Sequence, residues 1–229
     1  MERVSLRTHP GGTLDVITLR FDPTDGGLEN FERFDVRCPD LLARAVPKRR
    51  AEYLAGRRVA LEALREIGAV VHDLSITPSR APAWPEGFTG SITHCDGLAA
   101  AVALRCIGVR GVGLDVERVG SPDAVEAIRR VALLTAEEKA LAKLAVRFGL
   151  AAAVTIAFSA KESFYKATSA SVGRVFDFSA VRIVGSSLSD GLLEARVTEL
   201  LAPDLVQGLR IRLGFSFIDT DVVITSFIW

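Results

Sequence analysis

Phe158-Ser159-Ala160-Lys161-Glu162-Ser163-Phe164-Tyr165-Lys166-Ala167 is the stretch on which the fold turns. The apolar run Val154-Thr155-Ile156-Ala157 before it is short enough for a buried strand or a helix tail. Ser159 then reads as a helix N-cap, with Glu162 three residues on in the spacing of a capping box, so a new helix is expected to start here. Glu162 and Lys166 are four apart and would share one helical face. Two readings follow: a capped helix with one surface ion pair, or a carboxylate and an ammonium aimed together at a ligand.

Upstream, Gly111-Val112-Gly113-Leu114-Asp115-Val116-Glu117 reads as a strand. Asp115 and Glu117 leave the same face, and side-by-side carboxylates repel unless a cation lies between them. Two oxygen ligands from alternate positions, completed by water and phosphate, suit magnesium; a solvated strand edge is the plain alternative. Ser121-Pro122-Asp123 starts a helix by N-cap, proline at the first position and first-turn acid. Thr135-Ala136-Glu137-Glu138 starts another, by a capping box, that runs to about Arg147.

Nearer the N-terminus, Leu14 to Phe21 reads as a strand, Asp22 to Asn30 as a loop and Leu41 to Val46 as a short helix. Lys48 to Gly68 is a long helix on which Arg49, Arg50, Arg57 and Arg58 form two pairs. Arg49 and Arg57 project to one side, as a solvated basic face or as an anion clamp. Gly56 in mid-helix points to close packing or a ligand. Val70 to Ile76 reads as a strand, followed by a proline-laced loop, Thr77 to Gly87, that carries Arg80 and Trp84. Gly90-Ser91-Ile92-Thr93-His94 and Leu98 to Leu104 are strands joined by a tight turn at Asp96-Gly97. After Gly173 the pattern has period two, in Val181 to Val184, Leu192 to Leu200, Leu209 to Phe217 and Val222 to Ile228. The order implies an α+β chain of two lobes, residues 1–109 and 110–229, each a small, mostly antiparallel sheet packed with helices.

The 229 residues carry 28 basic and 28 acidic side chains, so no global field favours nucleic acid or membrane. Only five of the basic residues are lysine. Cys38, Cys95 and Cys106 show neither metal spacing nor an even disulfide count. Met1 to Pro10 lacks an apolar signal core, and no run reaches the length of a membrane span. A cytoplasmic monomer is expected.

Five blocks occur in order: Lys48 to Arg57, Trp84-Pro85, Gly90 to His94, Gly113 to Glu117 and Phe158 to Ala167. Together they resemble the Sfp-type 4'-phosphopantetheinyl transferases, most closely the branch of enterobactin synthase component D. The match covers about residues 46 to 168. The resemblance implies transfer of phosphopantetheine from coenzyme A to a serine of an apo acyl, peptidyl or aryl carrier protein, in siderophore, nonribosomal peptide or polyketide biosynthesis. It implies an active site in a cleft between the lobes, with the first lobe binding nucleotide and 3'-phosphate. By motif position Asp115, Glu117 and Glu162 would ligate Mg2+ or Mn2+, and Glu162 and Lys166 would be catalytic, Lys166 also holding the phosphate under attack. Arg49, Arg57 and His94 would bind the 3'-phosphate, and Thr93 and Arg80 the nucleotide. Carrier contact is expected beside Ser121 to Arg147. Val116 stands between the metal acids, so a third acid does not come from there. A coenzyme A-binding module without transfer activity and a metal-dependent phosphoesterase are the rival readings.

Overall fold

The computed structural model describes residues 1–8, 12–78 and 80–229. The readings of Met1 to Pro10 and of the loop from Thr77 to Gly87 therefore fall partly outside it, at His9, Pro10 and Ser79. The chain forms two compact units, 1–5 with 15–112 and 6–14 with 113–229. Among the described residues no helix is long and apolar enough to cross a membrane.

Most of a four-stranded sheet belongs to the first unit, in the order β1-β2-β4-β3, with β1 Glu2–Arg7, β2 Thr13–Arg20, β3 Phe88–Cys95 and β4 Leu98–Arg105. β3 and β4 form an antiparallel hairpin, turned at Gly97 with φ 73°, in the left-handed region that glycine tolerates. Two short helices, α1 Leu28–Arg33 and α2 Asp40–Ala43, precede the long α3, Pro47–Glu66. Leu54, Val59, Ala60 and Leu64 of α3 pack on Ala99, Ala101 and Ala103 of β4, small residues that let the helix lie close to the sheet. Gly56 owes its place to the same packing, because a β-carbon there would stand 3.0 Å from Ile92 Cγ2. The segment Val70 to Ile76 is not the expected strand; only Ile76 makes an isolated bridge, to Pro82. Val70 is 91 % exposed while Leu74 is buried in the core, so the run anchors itself by single side chains and finds no strand to pair with along its length.

The second unit is a five-stranded sheet in the order β5-β9-β8-β7-β6, with β5 Val112–Arg118, β6 Val181–Ser187, β7 Leu192–Val197, β8 Arg210–Asp219 and β9 Val222–Ile228. The pairs β6/β7, β7/β8 and β8/β9 are antiparallel. Helices α4 Pro122–Ala132, α5 Glu138–Phe148 and α6 Leu150–Val172 complete it. Ser121 caps α4 as expected, accepting the Ala124 N–H. The box before α5 sits one residue earlier than its sequence suggests: Glu137 accepts the backbone N–H of Leu134, at 2.7 Å.

The largest correction concerns α6. It runs 23 residues from Leu150 to Val172, and Gly149 at φ 87° rather than Ser159 marks its start. Ser159 lies in mid-helix, fully buried, so it caps nothing. The stretch Val154 to Ala157 belongs to the same helix and is buried throughout. A helix enclosed on nearly all sides loses its polar stripe, and with it the 3.6-residue signal that would have revealed its first two turns.

Candidate functional site

In the second unit the site is built where β5 meets α6. Gly113 makes that approach possible, because a β-carbon there would run into the Ser163 carbonyl and the Ala167 amide. The contact brings Lys166 onto the strand: its Nζ donates to Asp115 Oδ1 at 2.6 Å and to the Leu114 carbonyl at 3.2 Å. The lysine therefore reaches across to β5 and its charge is not spent on a surface pair with Glu162. On another face of α6, the Ser159 and Ser163 hydroxyls lie 2.9 and 2.7 Å from Thr225 Oγ1 of β9, and Ser163 also donates to the Thr225 carbonyl at 3.0 Å. These buried hydroxyls fix the rotation of the helix and so the direction of Glu162 and Lys166.

Asp115 is 3 % exposed, and Glu117 and Glu162 are half-buried. Burial, then the charge of Asp115, pushes the Glu117 carboxyl up to about 7, with Glu162 adding to the push and Lys166 opposing it. Glu162 is raised by the same two causes in the same order, again against Lys166. Three acids thus crowd one lysine. Among the described residues no three side chains of His, Cys, Asp or Glu are gathered tightly enough to hold a metal ion as they stand. The donors still fit magnesium in kind, being hard carboxylate oxygens whose mutual repulsion a divalent cation would relieve.

The raised Glu117 carboxyl has a thermodynamic consequence. Between its ordinary range and about 7 the folded state holds a proton that the unfolded state has lost, so stability falls as pH rises through that window. Discounted for partial exposure, the loss should be about 1–2 kcal/mol. Urea melts at pH 5 and pH 8 with a chelator present should show it, and Glu117→Gln should flatten it. Equal slopes for both proteins would disprove the assignment.

Lys161, next to Glu162, is a feature the sequence reading did not single out. Its side chain and that of Glu137 are both fully buried and form an ion pair at 2.8 Å. The ammonium also donates to the carbonyls of Ala132 at 2.8 Å and Phe178 at 3.3 Å. Glu137 accepts from Ile183 N at 2.7 Å as well as from Leu134 N. This knot ties α6 to the end of α4 and the start of β6. No local signal marks it, since Lys161 stands among Ser159, Glu162, Ser163 and Lys166 of the same helix. Lys161, Glu162, Tyr165, Phe176, Phe178 and Val181 line a cavity of about 220 Å³.

In the first unit the two arginine pairs of α3, Arg49/Arg50 and Arg57/Arg58, separate into two kinds. Arg50 donates to the carbonyls of Gly26 and Ala45, and Arg58 lies 3.6 Å over the Phe34 ring, so both serve the fold. Arg49 Nη1 is 3.4 Å from His94 Nε2 on β3 and 3.4 Å from Glu52 Oε2. Arg57 is only 6 % exposed, with its guanidinium 4.6 Å over the Tyr53 ring and its Nε without a hydrogen-bond partner. A solvated face does not describe Arg57. Arg49 and His94 are thus brought together, and Arg57 packs against Tyr53. Thr93 is buried and, by strand alternation, faces away from His94. Arg80 is exposed in a turn at φ 67°, its N–H bonded to the Thr77 carbonyl at 2.8 Å.

Comparison with known proteins adds the following. Residues 39–104 match the family model of the 4'-phosphopantetheinyl transferase N-terminal domain, and residues 111–204 that of the 4'-phosphopantetheinyl transferase superfamily. Over 175 residues the chain is 37 % identical to 4'-phosphopantetheinyl transferase Svp of Streptomyces mobaraensis, covering 76 % of this chain and 68 % of that protein. Over 130 residues it is 42 % identical to enterobactin synthase component D of Salmonella typhi, covering 57 % of this chain and 53 % of that protein. The chain therefore spans about half the length of the component D relatives it matches.

Proposed function

Because the chain belongs to the 4'-phosphopantetheinyl transferase superfamily, we propose that it transfers the 4'-phosphopantetheine group of coenzyme A to a serine of an apo carrier protein. The serine Oγ attacks the β-phosphorus, and adenosine 3',5'-bisphosphate leaves. Similarity to enterobactin synthase component D and to Svp supports a carrier of siderophore or other secondary-metabolite synthesis. The observation that carries the reading is the meeting of Asp115, Glu117 and Glu162 with Lys166, one ammonium among three carboxylates.

Asp115, Glu117 and Glu162 would hold Mg2+ or Mn2+, which when bound would offset negative charge on the pyrophosphate. Lys166 supports the phosphate under attack, moving its ammonium from Asp115 to the phosphoryl oxygens. Glu162 accepts the serine proton; its raised affinity for a proton suits that task. The cavity bordered by Glu162, Tyr165, Phe176 and Phe178 offers room for the pantetheine chain. Incubation with coenzyme A, magnesium and an apo carrier tests the proposal. A carrier heavier by one phosphopantetheine supports it; free phosphopantetheine would mean a phosphoesterase, and no change a binding module.

Arg49, Arg57 and His94 would select the 3'-phosphate, with Arg80 and Thr93 at the nucleotide. A charge-assisted hydrogen bond is worth about 1.5–3 kcal/mol, so dephospho-coenzyme A should show a kcat/KM lower by about tenfold or more. Arg49→Ala should narrow that gap, and equal kcat/KM for both donors in the native enzyme would remove the 3'-phosphate assignment from these residues. Carrier docking is proposed beside 121–147. Arg129 and Arg130 are already paired there with Glu126 and Glu138, which leaves Lys139, Lys143 and Arg147 to meet acidic groups.

A further inference from the structure

The face of the second sheet turned away from α5 and α6 carries a row of like charges. Register places Arg182 of β6 opposite Arg196 of β7, and Arg196 opposite Arg210 of β8. Their neighbours along the strands, Val181, Ile183, Ala195, Val197 and Ile211, pack in the core. Alternation therefore sends all three guanidinium groups to the outer face. Arg212 continues the patch two residues on from Arg210, opposite Glu194. Among the described residues no carboxylate forms an ion pair with Arg182, Arg196 or Arg210, and Arg196 Nε is buried without a hydrogen-bond partner. Like charges directly opposite one another weaken a sheet, and none of the three touches the site described above.

We propose that this row is a docking surface for an acidic segment of a partner protein. Adjacent strands lie about 4.8 Å apart, so the three guanidinium groups span about 10 Å. Carboxylates at positions i, i+4 and i+7 of a helix cover about the same length. The arginine fork takes a carboxylate through two parallel hydrogen bonds. The chain's formal net charge is zero, so it lacks the broad positive field by which nucleic-acid binders gather phosphates. A short, local row is suited instead to a few matched carboxylates.

The test uses the full chain and a labelled helical peptide with glutamate at i, i+4 and i+7, followed by fluorescence anisotropy at low salt. The triple substitution Arg182→Thr, Arg196→Thr, Arg210→Thr keeps strand-forming residues in place. It should weaken peptide binding at least tenfold while melting at the same temperature or higher, because the repulsion is gone. A peptide of the same composition with its glutamates spread around the helix should bind the native protein at least several-fold less tightly. Equal binding of the helical peptide by native and triple-threonine proteins, or equal binding of both peptides, would overturn the proposal. So would a triple variant that melts several degrees lower, since the arginines would then be structural. Tighter binding of a 12-residue single-stranded oligothymidine to the row would replace the acidic protein with nucleic acid.

Discussion

Asp115→Ala is expected to abolish transfer, lowering kcat at least about 10³-fold, with the fold retained. Asp115 is the most buried of the three acids and the one whose carboxylate holds the Lys166 ammonium. Its loss would take one ligand from the proposed metal and release the lysine that should meet the phosphate. Removing one partner of a fully buried pair would endanger the fold. The Lys166 side chain, however, keeps 29 % of its surface exposed, so the freed ammonium reaches water. Circular dichroism should be unchanged and Tm lower by only a few degrees. Loss of Asp115 should also lower the carboxyl pKa of Glu117 and of Glu162, since its charge raises both. Near-native turnover at saturating magnesium, with intact circular dichroism, would remove the metal assignment.

Glu162→Gln should cut kcat by at least about 10² and leave stability unimpaired. A capping role would have made glutamine a neutral replacement for both properties. That role is closed, because Ser159 lies inside α6 and bonds to Thr225 instead of to the backbone three residues on. Burial and Asp115 disfavour the ionised Glu162 carboxyl in the folded protein. An uncharged amide of the same shape should therefore melt at the same temperature or slightly higher at pH 8 without magnesium. Full activity in the glutamine variant would place the proton acceptor elsewhere, and unfolding would make the carboxylate structural.

The α3 arginines show how far local pattern reaches. Their spacing put Arg49 and Arg57 on one side of a helix, and α3 spans Pro47–Glu66 much as its periodicity implied. It could not tell that Arg50 and Arg58 serve the fold, or that Arg57 lies buried over Tyr53. Those outcomes depend on carbonyls and rings from distant parts of the chain. The segment Val70 to Ile76 failed for the same reason: β propensity is realised only where a neighbouring strand is supplied, and here only Ile76 finds a bridge.

By itself the sequence determined the strands of period two after Gly173, the hairpin turned at Gly97, the start of α4 at Ser121 and the carboxylate pair Asp115 and Glu117 on one face of β5. Each rests on interactions within a few residues: alternation, a left-handed glycine, a capping hydroxyl. Tertiary structure alone decided that α6 begins at Leu150, that Lys161 is tied to Glu137, and that Lys166 pairs with Asp115 rather than staying on its own helix. The partners there are separated by 24 and 51 residues. Packing selects among them, by enclosing the Lys161 ammonium completely with Glu137 and by bringing the buried Asp115 within reach of the partly exposed Lys166.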